Sequence, residues 1–284
     1  MDFKSRNLEK EYWPELLKQI AEPPKSLRII GNYPNPENIR LCVIGPRKYS
    51  EYSKAVCEKL ISELAGYPIT IVSGLAYGID SIAHKSALKN NLETIAILGS
   101  GLGERYIYPR AHFNLAKEIF YSGGSLISEF PDDFSATKYS FPQRNRIMVG
   151  MSEATLVIET REKSGTMITT RLTLDYNNEL MTIPGSIFNE SCTGANNLIK
   201  EGAHPVTCGK DILEILGIEI KDTNNYKQDL SENENLVIEN LKEPITDENL
   251  IIKTKLSIAE FNETLTLLEV KNLIQFVGGK ICQK

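Results

Sequence analysis

The sequence predicts an α/β protein: a doubly wound, Rossmann-like, mostly parallel sheet with a small C-terminal winged-helix domain. Three observations lead there. From Ile39 onward, short apolar runs alternate with stretches of helical length; nearly every run ends in Gly or Ser; and a polar, Asn-rich stretch separates this pattern from a differently built tail. Alternation of this kind forces parallel pairing with helices on both faces.

Residues 1–38 form an N-terminal lead-in segment, with a short helix over Tyr12–Ala21 ended by Pro23 and Pro24, then Leu27–Ile30 and an Asn-Pro turn. Residues 39–217 form the Rossmann-like domain. Its strands are IRLCVIG, ITIVSG, ETIAILG, SLISE, ATLVIE and LMTIPG, and its helices run over Tyr49–Leu64, Ile79–Leu88, Ala111–Tyr121, Met167–Asn177 and around Asn197. The run Ala154–Ile158 is too short for a helix and reads as a parallel strand covered on both faces. Residues 218–231 read as a linker. Residues 232–284 read as a winged helix: helices over Leu236–Lys242, after Thr246, and over Ile258–Val270, then a hairpin turning at Gly278-Gly279. Thr246 is placed to cap the second helix, and Ser257 with Glu260 forms a capping box on the third. Residues 231–284 hold 6 Lys against 9 Asp or Glu. That balance favours protein contact over phosphate gripping for this domain.

With 284 residues, 41% hydrophobic and 24% charged, the chain can bury one large core and one small one. The charged start MDFKSRNLEKEYW lacks a signal-peptide run, and no stretch approaches the roughly 20 apolar residues of a membrane helix. A cytoplasmic protein without a membrane partner is expected. Five cysteines form no CxxC pair and the three histidines show no zinc spacing, so reduced, mostly buried thiols and neither metal nor cofactor are expected.

Chemistry concentrates at the predicted strand ends. Gly45-Pro46-Arg47, Ser73-Gly74, Gly99-Ser100-Gly101 and Ser164-Gly165-Thr166 put glycines where backbone N–H groups meet an anion. Taken singly each is weak; GSGLG serves equally as a tight turn and is not a dinucleotide fingerprint. Lys138–Arg171 carries Lys138, Arg144, Arg146, Arg161, Lys163 and Arg171 against three glutamates, in a protein of net charge −5. A local positive patch on an acidic chain points to an anionic ligand.

Arg47 either reaches phosphate bidentately or pairs with Asp80 or Glu129. In KYSFPQRNR, Lys138 stands three residues before Phe141, the combination that holds unpaired nucleic acid by a phosphate and a stacked base; the alternative is a core phenyl ring. Of Arg144 and Arg146, one grips ligand while the other buttresses the loop. Ser164 and Gly165, with Lys163 beside them, form either an anion nest or a simple helix cap. Asp80 and His84, at i and i+4, read as a structural hydrogen bond. No nucleophile–base set appears, so no catalytic residue is assigned.

The segments SGLAYGIDSIAH, AILGSGLGERYIYP, GGSLISEFP, FPQRNRIMVGMSEATLVIE, SGTMITTR and TGANNLIKEGA, in this order, resemble the DNA processing protein A (DprA/Smf) family from about Tyr12 to Gly217. The tail is similar to that family's winged helix. The resemblance implies a non-enzymatic single-stranded-DNA-binding recombination mediator. It would dimerise and help load the RecA recombinase onto DNA covered by single-strand binding protein, notably in natural transformation. By motif position it implies DNA contacts at Arg47, Lys138, Phe141 and Arg161 with glycine-loop backbone beside them, and a homodimer contact near Asn197–Ala203. The competing reading is a nucleotide-binding or nucleoside-monophosphate phosphoribohydrolase-like Rossmann enzyme. That class pairs its phosphate nest with a glutamate, and SGTMITT has none.

Overall fold

A computed structural model describes residues 3–220, 230–241, 243–271, 273–277 and 280–283. The chain divides into two compact units, Met1–Ile220 and Lys221–Lys284.

The first unit is built on strands β1 (Arg6–Asn7), β2 (Arg28–Gly31), β3 (Ile39–Ile44), β4 (Ile69–Ser73), β5 (Glu93–Ile97), β6 (Ser125–Ser128), β7 (Ala154–Val157), β8 (Glu179–Thr182) and β9 (His204–Pro205). Its helices are α1 (Glu15–Gln19), α2 (Glu51–Glu63), α3 (Ile79–Lys89), α4 (Phe113–Tyr121), α5 (Ser140–Gly150), α6 (Thr166–Asp175), α7 (Thr193–Lys200) and α8 (Gly209–Ile215). The nine strands form one sheet in the order β1-β2-β6-β5-β4-β3-β7-β8-β9. All pairings from β6 to β9 are parallel. The chain winds outward from β3 in both directions, so the sheet reverses between β3 and β7. A crevice opens at such a reversal, outside the carboxyl ends of the strands.

The period of two along each strand sorts the core into faces. On β3, Leu41 and Val43 pack with Leu60 and Ile61 of α2, Ile79 and Ala83 of α3 and Ile212 of α8. Cys42 and Ile44 point the other way, to Leu17 of α1, Ile147 and Met148 of α5 and Leu198 of α7. A third cluster joins Leu115 and Ile119 of α4 to Ile30, Ala96 and Leu126. Cys42, Cys57 and Cys192 are buried, and all five cysteines are unpaired. No helix among the described residues is long and apolar enough to cross a membrane.

Three expectations need correction. Residues 3–38 are not a mere lead-in: β2 pairs antiparallel with β6 and β1 with β2, so this segment completes the sheet. Arg28 anchors it, its guanidinium bonding Asp132 at 2.8 and 2.7 Å and the Ser5 hydroxyl at 2.8 Å. The helix expected over Tyr12–Ala21 is a 3-10 turn (Lys10–Tyr12) and the short α1, because Pro14 interrupts it. Asp80 and His84 do not bond each other. Asp80 accepts from the Ala76 N–H at 3.4 Å, and His84 Nδ1 lies 2.7 Å from the Thr94 hydroxyl. That hydroxyl donates to the Ile71 carbonyl, so it accepts from His84 and fixes the proton on Nδ1.

The second unit comprises α9 (Glu232–Asn240), α10 (Asp247–Thr254), α11 (Ile258–Val270) and the antiparallel pair β10 (Ile274–Val277) and β11 (Lys280–Gln283). Val237, Leu250, Phe261, Leu268 and Ile281 form its core. Capping boxes start α9 (Ser231, Glu234) and α11 (Ser257, Glu260), whereas Thr246 sits at the α10 cap position without a side-chain bond. Most of the expected linker, residues 221–229, and the expected Gly278-Gly279 turn lie outside the described residues.

Two outcomes follow from this packing. Ile29→Ala in β2, fully buried, removes core volume and should lower unfolding free energy by about 2–5 kcal/mol in a urea titration. Burial, with the nearby Arg144 charge second, pushes His84 down to about 3. A folded-state pKa below the unfolded value of ~6.5 means this stability is intact above that pH and is withdrawn as pH falls toward the folded value. Wild type should therefore lose stability faster than His84→Gln on acidification, by up to about 1.4 kcal/mol per pH unit below pH ~6, measured by denaturation at stepped pH.

Candidate nucleic-acid interface

At the reversal between β3 and β7 lies a cavity of ≈ 540 Å³, walled by Arg47, Lys138, Phe141, Asn145, Ser164 and Gly165 among others. Its position follows from topology, and its walls are the loops after β3 and β7 with the start of α5. Gly78 holds the first loop in place. A side chain there would collide with the Pro46 carbonyl and the Arg47 backbone, and the residue has a φ of 86°. On the other side, buried Glu159 at the end of β7 accepts from the Ser50 N–H at 3.2 Å and the Ser50 hydroxyl at 3.1 Å. Burial alone would raise the Glu159 carboxyl; bonds from Ser191, Ser53 and Ser50 outweigh it and hold the carboxyl below its usual range. The acid is thus turned away from the cavity and ties the Arg47 loop to β7.

Arg47 and Lys138 are exposed and Phe141 is half-buried at the rim. The Arg47 guanidinium stands 5.4 Å from the Phe141 ring centroid and the Lys138 ammonium 5.2 Å from that of Tyr139, which is itself 70% exposed. Cation–ring contacts of this kind hold long side chains in place before any ligand arrives. The N-terminus of α6 opens onto the same cavity through Ser164, Gly165 and Thr166. Gly165 has open space where its Cβ would stand, and no side chain caps the helix. The Met167 and Ile168 N–H groups turn back to the Ser164 and Gly165 carbonyls at 3.2 Å each, so it is the positive helix end that faces the cavity. The Ser164 hydroxyl is 2.7 Å from that of Thr160.

The other expected contacts are placed differently. Arg144 lines the cavity from below but is buried, its guanidinium donating to the Ile97 carbonyl at 2.7 Å, so of the arginine pair it is the buttress. Gly74 serves that arginine, because a Cβ there would occupy the guanidinium's place. Arg146 does not take the gripping role either: it is ion-paired to Glu129, a carboxyl pushed up by burial and pulled back by that arginine. Gly101 gives its N–H to the Phe134 carbonyl at 2.9 Å and packs under Pro131 and Asp132, which makes it a turn and not a ligand loop. Arg161 and Lys163 are exposed on the loop after β7, outside the cavity wall. Of the two acids weighed from sequence as Arg47 partners, Glu129 pairs with Arg146, while Asp80 feels the Arg144 charge first and the Arg47 charge after it.

Asp80 at the cavity floor is buried, and burial pushes its carboxyl up while the Arg144 charge pulls it back. Asn145, Met148, Ile168 and Thr169 also line the cavity. Sequence reasoning passed over them; the helical spacing of Phe141, Arg144, Asn145 and Met148 was the available signal.

The DNA recombination-mediator protein A model matches residues 5–217. The chain belongs to the DNA recombination-mediator protein A family. As a family member it is 40% identical over 206 residues to Protein Smf of Escherichia coli, and the match spans 72% of this chain and 54% of that protein. It is 35% identical over 211 residues to DNA processing protein DprA of Streptococcus pneumoniae, covering 74% of this chain and 73% of that protein. The solved structure of DprA from Streptococcus pneumoniae superposes at a TM-score of 0.69 with 33% identity, over 78% of this chain and 76% of that one. A Helicobacter pylori structure described as showing the single-stranded DNA binding mode of DNA processing protein A superposes at 0.68 with 31% identity, over 75% of this chain and 96% of that one. The family likeness and the Rossmann-like sheet thus agree. The match takes in about half of the E. coli relative's length.

Removing the buttress tests the floor. Arg144→Ala leaves Asp80 buried without its counter-charge and should cost about 3–5 kcal/mol of stability, read as a fall in the denaturation midpoint.

Proposed function

We propose that the crevice between β3 and β7 binds single-stranded DNA, and that the protein acts as a recombination mediator without chemistry of its own. The observation that carries this reading is the meeting of Arg47, Lys138 and Phe141 on one cavity rim, beside the open N-terminus of α6. Two cations for phosphates and one ring for a base make a site that tolerates any sequence, since every base has a π-face. The family membership and the Helicobacter pylori description support it. The exposed Arg161 and Lys163 extend the positive rim beyond the cavity and serve as outer phosphate contacts. The finer parts of the proposal rest on the sequence resemblance: loading of the RecA recombinase onto strands covered by single-strand binding protein, a homodimer contact near Asn197–Ala203, a protein-contact role for the winged helix of residues 232–284, and a cytoplasmic site of action.

In anisotropy titrations the protein should prefer oligodeoxythymidylate to duplex and weaken steeply with salt. Arg47→Ala and Lys138→Ala should each flatten the log–log salt slope by about 1. Phe141→Ala should cost about 1–3 kcal/mol with the slope unchanged. Binding insensitive to salt would sink the reading.

A further inference from the structure

Beside the main cavity a narrow crevice is lined by Arg47, Tyr77, Tyr108 and Phe141, with glycine and alanine backbone between them. The Tyr108 and Phe141 ring centroids are 5.7 Å apart, tilted by 44°. Both tyrosines are 46% exposed, whereas the neighbouring Ile107 is buried at 1%. Ile107 thus anchors the loop in the core and Tyr108 presents half its ring to water.

Tyr77 is held from behind. Its ring meets His112 edge-on at 4.9 Å, and His112 Nδ1 lies 2.8 Å from the Leu75 carbonyl. The loop Gly103–His112 also carries exposed Arg105 and Arg110 against one acid, Glu104. Arg110 lies 4.2 Å over the Phe113 ring and bonds the Glu104 carbonyl. Half-exposed rings in a locally basic loop are otherwise wasteful in a folded chain, since an aromatic face left in water forgoes its burial energy.

We propose that Tyr108, backed by Tyr77, is a second stacking platform that takes the base next to the one at Phe141 on the same unpaired strand. This rests on the reading of the crevice as a single-strand interface. Arg47 lines both the cavity and the crevice and stands 5.4 Å from the Phe141 ring, so two adjacent rings share the rim with one guanidinium. Two rings beside one cation suit two successive bases and a phosphate of a single strand. Lys138 then meets the phosphate on the far side of Phe141, and Arg105 the one beyond Tyr108. The strand runs across the carboxyl ends of β3 to β5 and does not stop in a one-nucleotide pocket.

The test uses the full chain, with oligodeoxythymidylates of increasing length and a single 5-bromouracil as photo-crosslinking probe. Tyr108→Leu keeps wall volume and removes the aromatic face; Tyr108→Phe keeps the ring. Tyr108→Leu should weaken the longer oligomers by about five- to 150-fold with an unchanged salt slope and an unchanged melting temperature. Tyr108→Phe should bind like wild type, and irradiation should attach the probe to Tyr108. Full affinity in Tyr108→Leu, or an equal loss in Tyr108→Phe, overturns the second platform. If Lys138→Ala and Phe141→Ala also bind like wild type, the single-strand reading itself falls; if they lose affinity while Tyr108→Leu does not, only the extension falls.

Discussion

A guanidinium buried beneath the crevice sets the shape of everything above it. Arg144 is donated by α5, bonds the carbonyl at the end of β5 and lies over Gly74 at the end of β4. Its charge is set against Asp80 at the start of α3. One side chain therefore joins two strand ends and two helices at the place where the sheet reverses. Phe141 stands three residues earlier on the same helix, about one turn away and on the same side. Such a floor is costly to desolvate and is kept where a geometry has to be held.

Charge is distributed to match. The protein is acidic overall, yet the acids nearest the crevice are engaged by neighbours: Glu159 accepts from serines, Glu129 pairs with Arg146 and Asp80 is buried beside Arg144. What remains directed at solvent on that rim is Arg47 and Lys138 and the end of α6. A cluster of one sign thereby stands on this rim of a chain whose net charge is −5.

Much of this was legible in the sequence, and the reasons differ by residue. The parallel strands were readable because each is an apolar run bounded by turn residues, and α11 because Ser257 and Glu260 mark its start. Arg47, Lys138 and Phe141 were readable because a rim cation and a proline-fixed ring are local patterns, and the structure brings all three together. Arg144 and Arg146 were not separable, since two arginines two apart look alike until packing buries one. Gly74 and Gly101 show the limit of the signal: glycine marks close approach without saying what approaches, and here a guanidinium and a neighbouring loop do. The role of residues 3–38 was hidden because an antiparallel partner for β6 is a long-range pairing with no signature at either end.

That pairing has a consequence for the chain's behaviour outside its folded state. β6 is a fully buried Ser125–Ser128 strand whose outer hydrogen-bonding edge is occupied by Arg28–Gly31. A molecule that has lost residues up to Gly31, or one in which they have not yet docked, offers an open row of amides and carbonyls to any extended polypeptide. The opening segment is thus a molecular selvedge, keeping the weave from fraying into neighbouring chains.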